Sequence, residues 1–221
     1  MPTPRPAAFF DLDETLLSVN SAKLWIRHLW EKGEVGVLDM LRFSGYLLRY
    51  KLALIDIEKV TNEALRQFEG KPEDALRAEV HAWYDRKVRH HLYAQGRQLV
   101  EHHRSQGHHL VLLTAASPYL SERVVEDLKL DHFLCTRPEV VDGHFTGRFV
   151  EPLCYGEGKI VWAEQLAKEH GMDIGNSFFY TDSFTDLPML RRVGNPIATN
   201  PDPRLRRLAA KEGMPIRDFD A

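Results

Sequence analysis

Asp11 and Asp13 stand two residues apart, directly after the apolar run Ala7–Phe10. That run is short and aromatic-rich, and it follows a stretch of Pro, Thr and Arg, the pattern of a buried strand. Charges at the carboxyl end of such a strand fall where open α/β sheets place their ligand crevice. Two acids so close repel one another, and a cation or a shared proton relieves the repulsion. The plainer alternative is a polar strand-to-helix turn in which an Asp or Thr15 serves as a helix cap. Three more polar groups follow apolar runs: Thr114 to Ser117, Lys159, and Asp182 with Asp186. On one edge of a parallel sheet these groups converge into several carboxylates, one ammonium and one hydroxyl. Such a set suits a magnesium ion, which takes oxygen ligands, and a phosphoryl group, whose transfer needs positioning and charge neutralisation above all.

The elements that must position these residues fall into two regions. Over 18–90, apolar residues recur at three- and four-residue spacing near Ser21–Glu31, Val37–Tyr50, Asp56–Phe68 and Pro72–Val88, with Gly33, Gly36, Gly70 and Pro72 at the joins. This predicts a block of helices. From about residue 92, strands alternate with helices. Strands are expected at His109–Thr114, Phe133–Thr136, Phe178–Thr181, Ile197–Thr199 and near Pro215–Arg217. A hairpin is expected over Glu139–Phe149, turning at Asp142-Gly143. Helices are expected from Ser117-Pro118, over Gly158–His170, Asp186–Val193 and 203–212. The expected fold is α/β: a Rossmann-like, doubly wound parallel sheet with a small helical cap inserted after the first strand. Residues 1–17 and 91–221 form the core in this reading, and residues 18–90 the cap, above the carboxyl edge of the sheet.

Composition narrows the function classes. The chain has 221 residues, 43% hydrophobic and 28% charged, with a formal net charge of -3. That balance argues against a general nucleic-acid binder. Cys135 and Cys154 are the only cysteines, too few for a disulfide framework, and point to a reducing compartment. The apolar stretch Val35–Ile57 is broken by Asp39, Arg42, Arg49, Lys51 and Asp56, so it reads as amphipathic helices and not as a membrane span. With no secretory signal pattern at its start, the expected location is the cytoplasm. The oligomeric state is not legible.

Asp-x-Asp-x-Thr at 11–15, Leu-Leu-Thr at 112–114, Lys159, and the run Thr181 to Leu190 resemble the four motifs of the haloacid dehalogenase-like phosphatases. The helical insert between the first two motifs is similar to that of the phosphoserine-phosphatase-like branch. The resemblance implies that Asp11 is a nucleophile forming an aspartyl phosphate, and that Asp13 is the general acid and then base. It implies Mg²⁺ held by Asp11, Asp182 and the backbone carbonyl of Asp13. Thr114, Lys159 and the N–H groups of Leu12 and Ala115 would grip phosphate, with Thr15 and Asp186 in support. The implied activity is Mg²⁺-dependent hydrolysis of a small phosphomonoester, phosphoserine and histidinol phosphate among the candidates. A phosphotransferase or mutase, or a non-catalytic scaffold of the same fold, are the alternatives.

Some positions depart from the nearest pattern or admit plainer roles. Asn20 stands where phosphoserine phosphatases carry a substrate-binding glutamate, and Ser183 and Thr185 replace a glycine and an asparagine of the fourth motif. Arg42 and Arg49, seven residues apart and so on one helix face, are candidates for substrate contact from the cap or for a solvated stripe. Ser117 reads as a helix cap, and Asp186 as either a partner of Lys159 or an N-cap. Trp25, Trp30 and Trp83 read as packing within the cap. The histidines at 90–91 and 102–109 lack the spacing of a helical zinc site.

Overall fold

The computed structural model describes residues 4–36 and 57–219. The helix expected over Val37–Tyr50, with Arg42 and Arg49, lies outside the described residues. Six strands form one parallel sheet: β1 (Ala7–Phe10), β2 (His109–Leu113), β3 (His132–Leu134), β6 (Phe178–Thr181), β7 (Asn195–Thr199) and β8 (Ile216–Arg217), in the order β3-β2-β1-β6-β7-β8. The order reverses between β1 and β6, which makes the carboxyl ends of those two strands the switch point of the sheet. A separate antiparallel pair, β4 (Pro138–Val141) and β5 (His144–Phe149), is the expected hairpin. Its turn residues Asp142 and Gly143 both have positive φ, 49° and 74°, the requirement of a tight hairpin turn whose twist matches the strands.

The central strands are mostly apolar because both faces of the sheet are covered. Alternate residues supply two cores. Ala8, Phe10, Leu110, Leu112 and Tyr180 face one way and pack with Leu99 and Val100 of α4 (Ala94–Ser105) and Leu120, Val124 and Leu128 of α5 (Pro118–Leu128). Ala7, Phe9, Val111, Leu113 and Phe179 face the other way. They meet Ala163 and Leu166 of α6 (Glu157–His170), Met189 and Leu190 of α7 (Leu187–Arg192), and Leu205 and Ala209 of α8 (Pro203–Glu212).

Between β1 and β2 run α1 (Ser21–Glu31), α2 (Ile57–Arg66) and α3 (Glu73–Trp83). The single helix expected over Pro72–Val88 is compound. After Trp83 it widens into a π-helical turn, Tyr84–Val88, and ends in a 3₁₀ turn at Arg89–His91. The extra residue per turn keeps Val80, Trp83, Tyr84 and Val88 all buried. These residues belong to the same apolar cluster as Phe10 and Leu112. Polar contacts reinforce the junction: the Tyr84 hydroxyl donates to Asp127 at 2.9 Å, and Arg89 and Arg97 close on the same carboxylate. The β4–β5 hairpin is tied to the segment before α3, where Gly70 N–H donates to Phe145 and Phe145 N–H to Lys71. Trp83 is buried and Trp25 meets it edge-on. Trp30, by contrast, is among the exposed large side chains, since α1 turns that face outward. Ser117 occupies the cap position of α5, but its side chain makes no capping bond, and Pro118 at the first turn needs no donor satisfied there. No helix among the described residues is long and apolar enough to cross a membrane.

One buried polar group in this core has a consequence for stability. His103 of α4 is 1% exposed, wedged against Phe10 and Phe178. One ring nitrogen pairs with the Tyr180 hydroxyl at 2.7 Å and the other with His108 at 2.8 Å. Burial, with His108, His102 and Arg217 nearby, pushes its pKa down to about 4. The unfolded chain therefore binds a proton at this residue that the folded chain refuses between about pH 6.5 and about pH 4. Stability carried by neutral His103 is complete above that window and falls as pH drops through it, by about 3 kcal/mol at most. His103→Gln lowers stability at pH 7, yet should show a smaller further loss between pH 7 and pH 4 in urea unfolding. Equal losses in the two proteins would exclude His103 as the titrating group.

Candidate active site

Asp11 is the first residue beyond β1, and its N–H donates to the Tyr180 carbonyl at 2.9 Å, continuing the ladder with β6. Asp182 is the first residue beyond β6. The two carboxyl groups thus arise on adjacent strands at the switch point of the sheet. After Asp11 the chain turns back sharply. Leu16 and Leu17 N–H groups both reach the Leu12 carbonyl at 2.9 Å, and Glu14 adopts a left-handed φ of 55°. The buried Thr15 joins the two strand-end loops: Asp182 N–H donates to its Oγ1 at 2.9 Å, and its hydroxyl reaches Asp182 Oδ1 at 3.5 Å.

Lys159 arrives from α6, on the far side of the β4–β5 hairpin in sequence. Gly158 makes this approach possible. A Cβ there would lie 1.9 Å from the Leu153 carbonyl oxygen, so a side chain would force the start of α6 away. The Lys159 ammonium, 2% exposed, sits between Asp11 Oδ1 at 2.8 Å and Asp186 Oδ2 at 2.7 Å. The two readings of Asp186 are thereby resolved. It occupies the cap position of α7, but its side chain makes no capping bond; it holds Lys159 and accepts from Thr181 Oγ1 at 2.7 Å. Burial opposes the charge on Lys159, but Asp11 and Asp186 outweigh it and keep the group protonated well above the ordinary lysine range.

The acids are strained in the opposite sense. Burial pushes Asp11 up to about 7 despite the pull of Lys159, with Asp186 and Asp13 adding repulsion. Burial and the facing Asp11 carboxylate raise Asp182 well above the carboxylate range. Among the described residues, three buried carboxyl groups, Asp11, Asp182 and Asp186, accompany one buried ammonium, which pairs with Asp11 and Asp186. A divalent cation between Asp11 and Asp182 removes their repulsion, so the donor set fits one. No trio of His, Cys, Asp or Glu side chains among the described residues forms a closed metal cage. The all-oxygen donors of Asp11 and Asp182 suit a hard divalent cation that keeps several waters.

Asp13 points elsewhere. Its carboxylate accepts from Ser21 N–H at 2.9 Å and from Ser21 Oγ at 3.1 Å, in the first turn of α1. Burial pushes Asp13 up to about 6, opposed by these two bonds. Asn20 is the N-cap of that helix and its Oδ1 accepts from Lys23 N–H at 3.1 Å. Thr114 follows β2, 3% exposed, with its N–H on the Leu134 carbonyl and its Oγ1 accepting from Ala116 N–H at 3.1 Å. Leu12 is buried and Ala115 is exposed at the end of the same sheet edge. The two departures in the fourth motif compensate one another: Ser183 Oγ and Thr185 Oγ1 bond at 2.8 Å, and Ser183 also accepts from Thr185 N–H. The turn they close, Phe184–Asp186, is what aims Asp186 back at Lys159.

Sequence reasoning did not single out Ser21, Asn200 or Asp202, and Thr181 was read only as part of a motif. A signal existed for Asp202, which precedes Pro203 at the start of a helix in the usual cap order. None existed for Ser21 and Asn200, whose partners lie across the fold or on another element.

The model of the haloacid dehalogenase-like hydrolases matches residues 8–191. The phosphoserine phosphatase SerB1 of Mycobacterium tuberculosis (strain ATCC 25618 / H37Rv) is 35% identical over 217 residues, 96% of this chain and 70% of that protein. A histidinol-phosphatase of Neisseria meningitidis serogroup C (strain 8013) is 29% identical over 218 residues, 96% of this chain and 98% of that one. The crystal structure of a Bordetella pertussis Tohama I protein of unknown function aligns with a TM-score of 0.87 at 30% identity, covering 98% of this chain and 99% of that one. With a family match that spans both acid-bearing strands and similarity along almost the whole chain, the protein belongs to the haloacid dehalogenase-like hydrolases, as a phosphatase of their phosphoserine-phosphatase-like branch.

Proposed function

We propose that the protein hydrolyses a small phosphomonoester with Mg²⁺ and passes through an aspartyl phosphate on Asp11. The observation that carries this reading is the buried Asp11–Lys159–Asp186 chain beside Asp182. Lys159 engages Asp11 Oδ1 and holds the carboxylate in one orientation. Asp11 attacks phosphorus, and the bond to the leaving alkoxide oxygen breaks. Asp13 gives that oxygen a proton, which an alkoxide leaving group needs. Asp13 then takes a proton from a water whose oxygen attacks the phosphorus of the aspartyl phosphate, and the bond from phosphorus to the Asp11 oxygen breaks, releasing inorganic phosphate and the free carboxylate. A pKa pushed up to about 6 suits a group that must both give and take a proton near neutrality. Thr114, Lys159 and the N–H groups of Leu12 and Ala115 hold the phosphoryl oxygens. Asp11, Asp182 and the main-chain carbonyl of Asp13 hold Mg²⁺, which when bound offsets the repulsion between phosphate and carboxylates.

Residues 18–90 act in this reading as a cap over a core formed by 1–17 and 91–221, in a cytoplasmic enzyme. Phosphoserine and histidinol phosphate are the first substrates to test, given the names of the relatives. Asn20 is neutral, and its oxygen is engaged in capping α1, so an ammonium group on the substrate needs another partner.

Three measurements test the proposal. Asp11→Asn should lower phosphate release from phosphoserine, histidinol phosphate or p-nitrophenyl phosphate by about 10³-fold or more while circular dichroism stays unchanged; full activity in that variant would remove Asp11 from the mechanism. EDTA should abolish turnover and Mg²⁺ restore it. Beryllium trifluoride with Mg²⁺ should raise the unfolding temperature of the wild type and leave Asp11→Asn unmoved, since a ligand stabilises only the state that binds it. A wild type that neither turns over nor responds to the mimic would favour the non-catalytic scaffold, and transfer of phosphate to an alcohol in place of water would favour a transferase or mutase.

A further inference from the structure

The segment that follows β7 touches both acid-bearing loops at once. Asn200 Nδ2 donates to the Glu14 carbonyl at 3.0 Å. Two residues on, Asp202 N–H donates to the Asp182 carbonyl at 2.8 Å, and Asp202 Oδ2 accepts from Phe184 N–H at 2.8 Å. The loop after β1 and the loop after β6 are thus gripped from the same three residues, Asn200-Pro201-Asp202.

Each member of the grip is itself held. Asn200 sits in the left-handed region, φ 47°, a conformation that Asn tolerates better than most residues. Its side-chain oxygen accepts from Phe219 N–H at 2.7 Å, and its own N–H donates to the Arg217 carbonyl at 2.8 Å. The bond from Phe219, beyond β8, fixes which end of the amide faces Glu14. Asp202 caps α8, with Oδ1 accepting from the N–H groups of Arg204 and Leu205 at 2.7 and 2.8 Å, so its second oxygen is left pointing at Phe184. The loop that Asn200 meets needs such support. Glu14 holds a φ of 55°, a conformation unfavourable for glutamate unless its surroundings impose it.

We infer that Asn200 and Asp202 are positioning residues that set the spacing of the Asp11–Asp13 and Asp182–Asp186 loops. They touch neither the reacting atoms nor the proposed Mg²⁺. They act by holding the backbone on which the donors stand, as outer partners of metal ligands do. The inference about spacing rests on the hydrogen bonds alone. Its consequence for Mg²⁺ rests on the function proposed above.

Two substitutions separate this role from plain structural support. Asn200→Asp keeps a side chain suited to left-handed φ and an acceptor for Phe219, but removes the donor to Glu14. Asp202→Ser keeps a good helix cap, but removes the oxygen that reaches Phe184. Arg206→Ala, which breaks the exposed pair with Asp218 in the same region, is the control. Hydrogen exchange of the metal-free proteins should speed up in peptides spanning 12–17 for Asn200→Asp and 182–187 for Asp202→Ser, and in neither for Arg206→Ala. Calorimetric titration should show Mg²⁺ binding weakened by about 10- to 100-fold in the first two. Turnover number should fall, with KM for p-nitrophenyl phosphate changed much less. Unaltered exchange in both loops would overturn the inference. Faster exchange with wild-type Mg²⁺ affinity would overturn its extension to the metal seat. A wild type that binds no Mg²⁺ would count against the catalytic reading, while the exchange data still decide the spacing role.

Discussion

Burying Asp11, Lys159, Asp182 and Asp186 together is the constraint to which the rest of the fold answers. Charges removed from water are tolerated only when paired and hydrogen-bonded. Here one ammonium lies between two carboxylates at 2.8 and 2.7 Å, and a third carboxyl group stands beside them with a threonine and no ion pair among the described residues. The imbalance is what makes the site receptive. An excess of buried negative charge creates a place for a cation, and in the proposed function the fixed lysine beside it receives a phosphoryl oxygen.

Holding that arrangement requires rigidity from elements that have no chemistry of their own. The two core layers fix β1 and β6 side by side, so Asp11 and Asp182 leave the sheet as neighbours. Gly158 lets α6 start hard against the Leu153 carbonyl, which brings Lys159 to Asp11 and Asp186. The Ser183–Thr185 pair closes a turn that directs Asp186 back to the lysine. Behind all of these, the Asn200–Asp202 segment reaches both loops. Asp13 is the exception. Its partners belong to α1, so the group assigned to proton transfer is tied to the inserted helices and not to the sheet.

Much of this was legible in the chain. The strands are short apolar runs, Asp142-Gly143 marks its own hairpin turn, and Gly171 and Gly213 end their helices with left-handed φ. The acids and the lysine follow strand or turn signals and match a set of motifs in order. Where local signals compete, the sequence admits more than one structure. The periodicity of 72–88 is helical whether the turn is α or π, and the wider turn at Tyr84 answers to packing against Asp127 and the sheet. Ser117 has the right identity for a cap but makes no such bond, while Asp186 stands at a cap position and uses its carboxylate elsewhere.

By itself the sequence determined the fold class, the element order and the residue types at the strand ends, because those depend on periodicity, turn chemistry and local spacing. Only the tertiary structure decided that Lys159 bridges Asp11 and Asp186, that Asp13 faces Ser21, and that Asn200 and Asp202 grip the two loops. Most of these contacts join residues on separate elements, and their geometry comes from how sheet, helices and loops pack, a property that no local window of the chain contains.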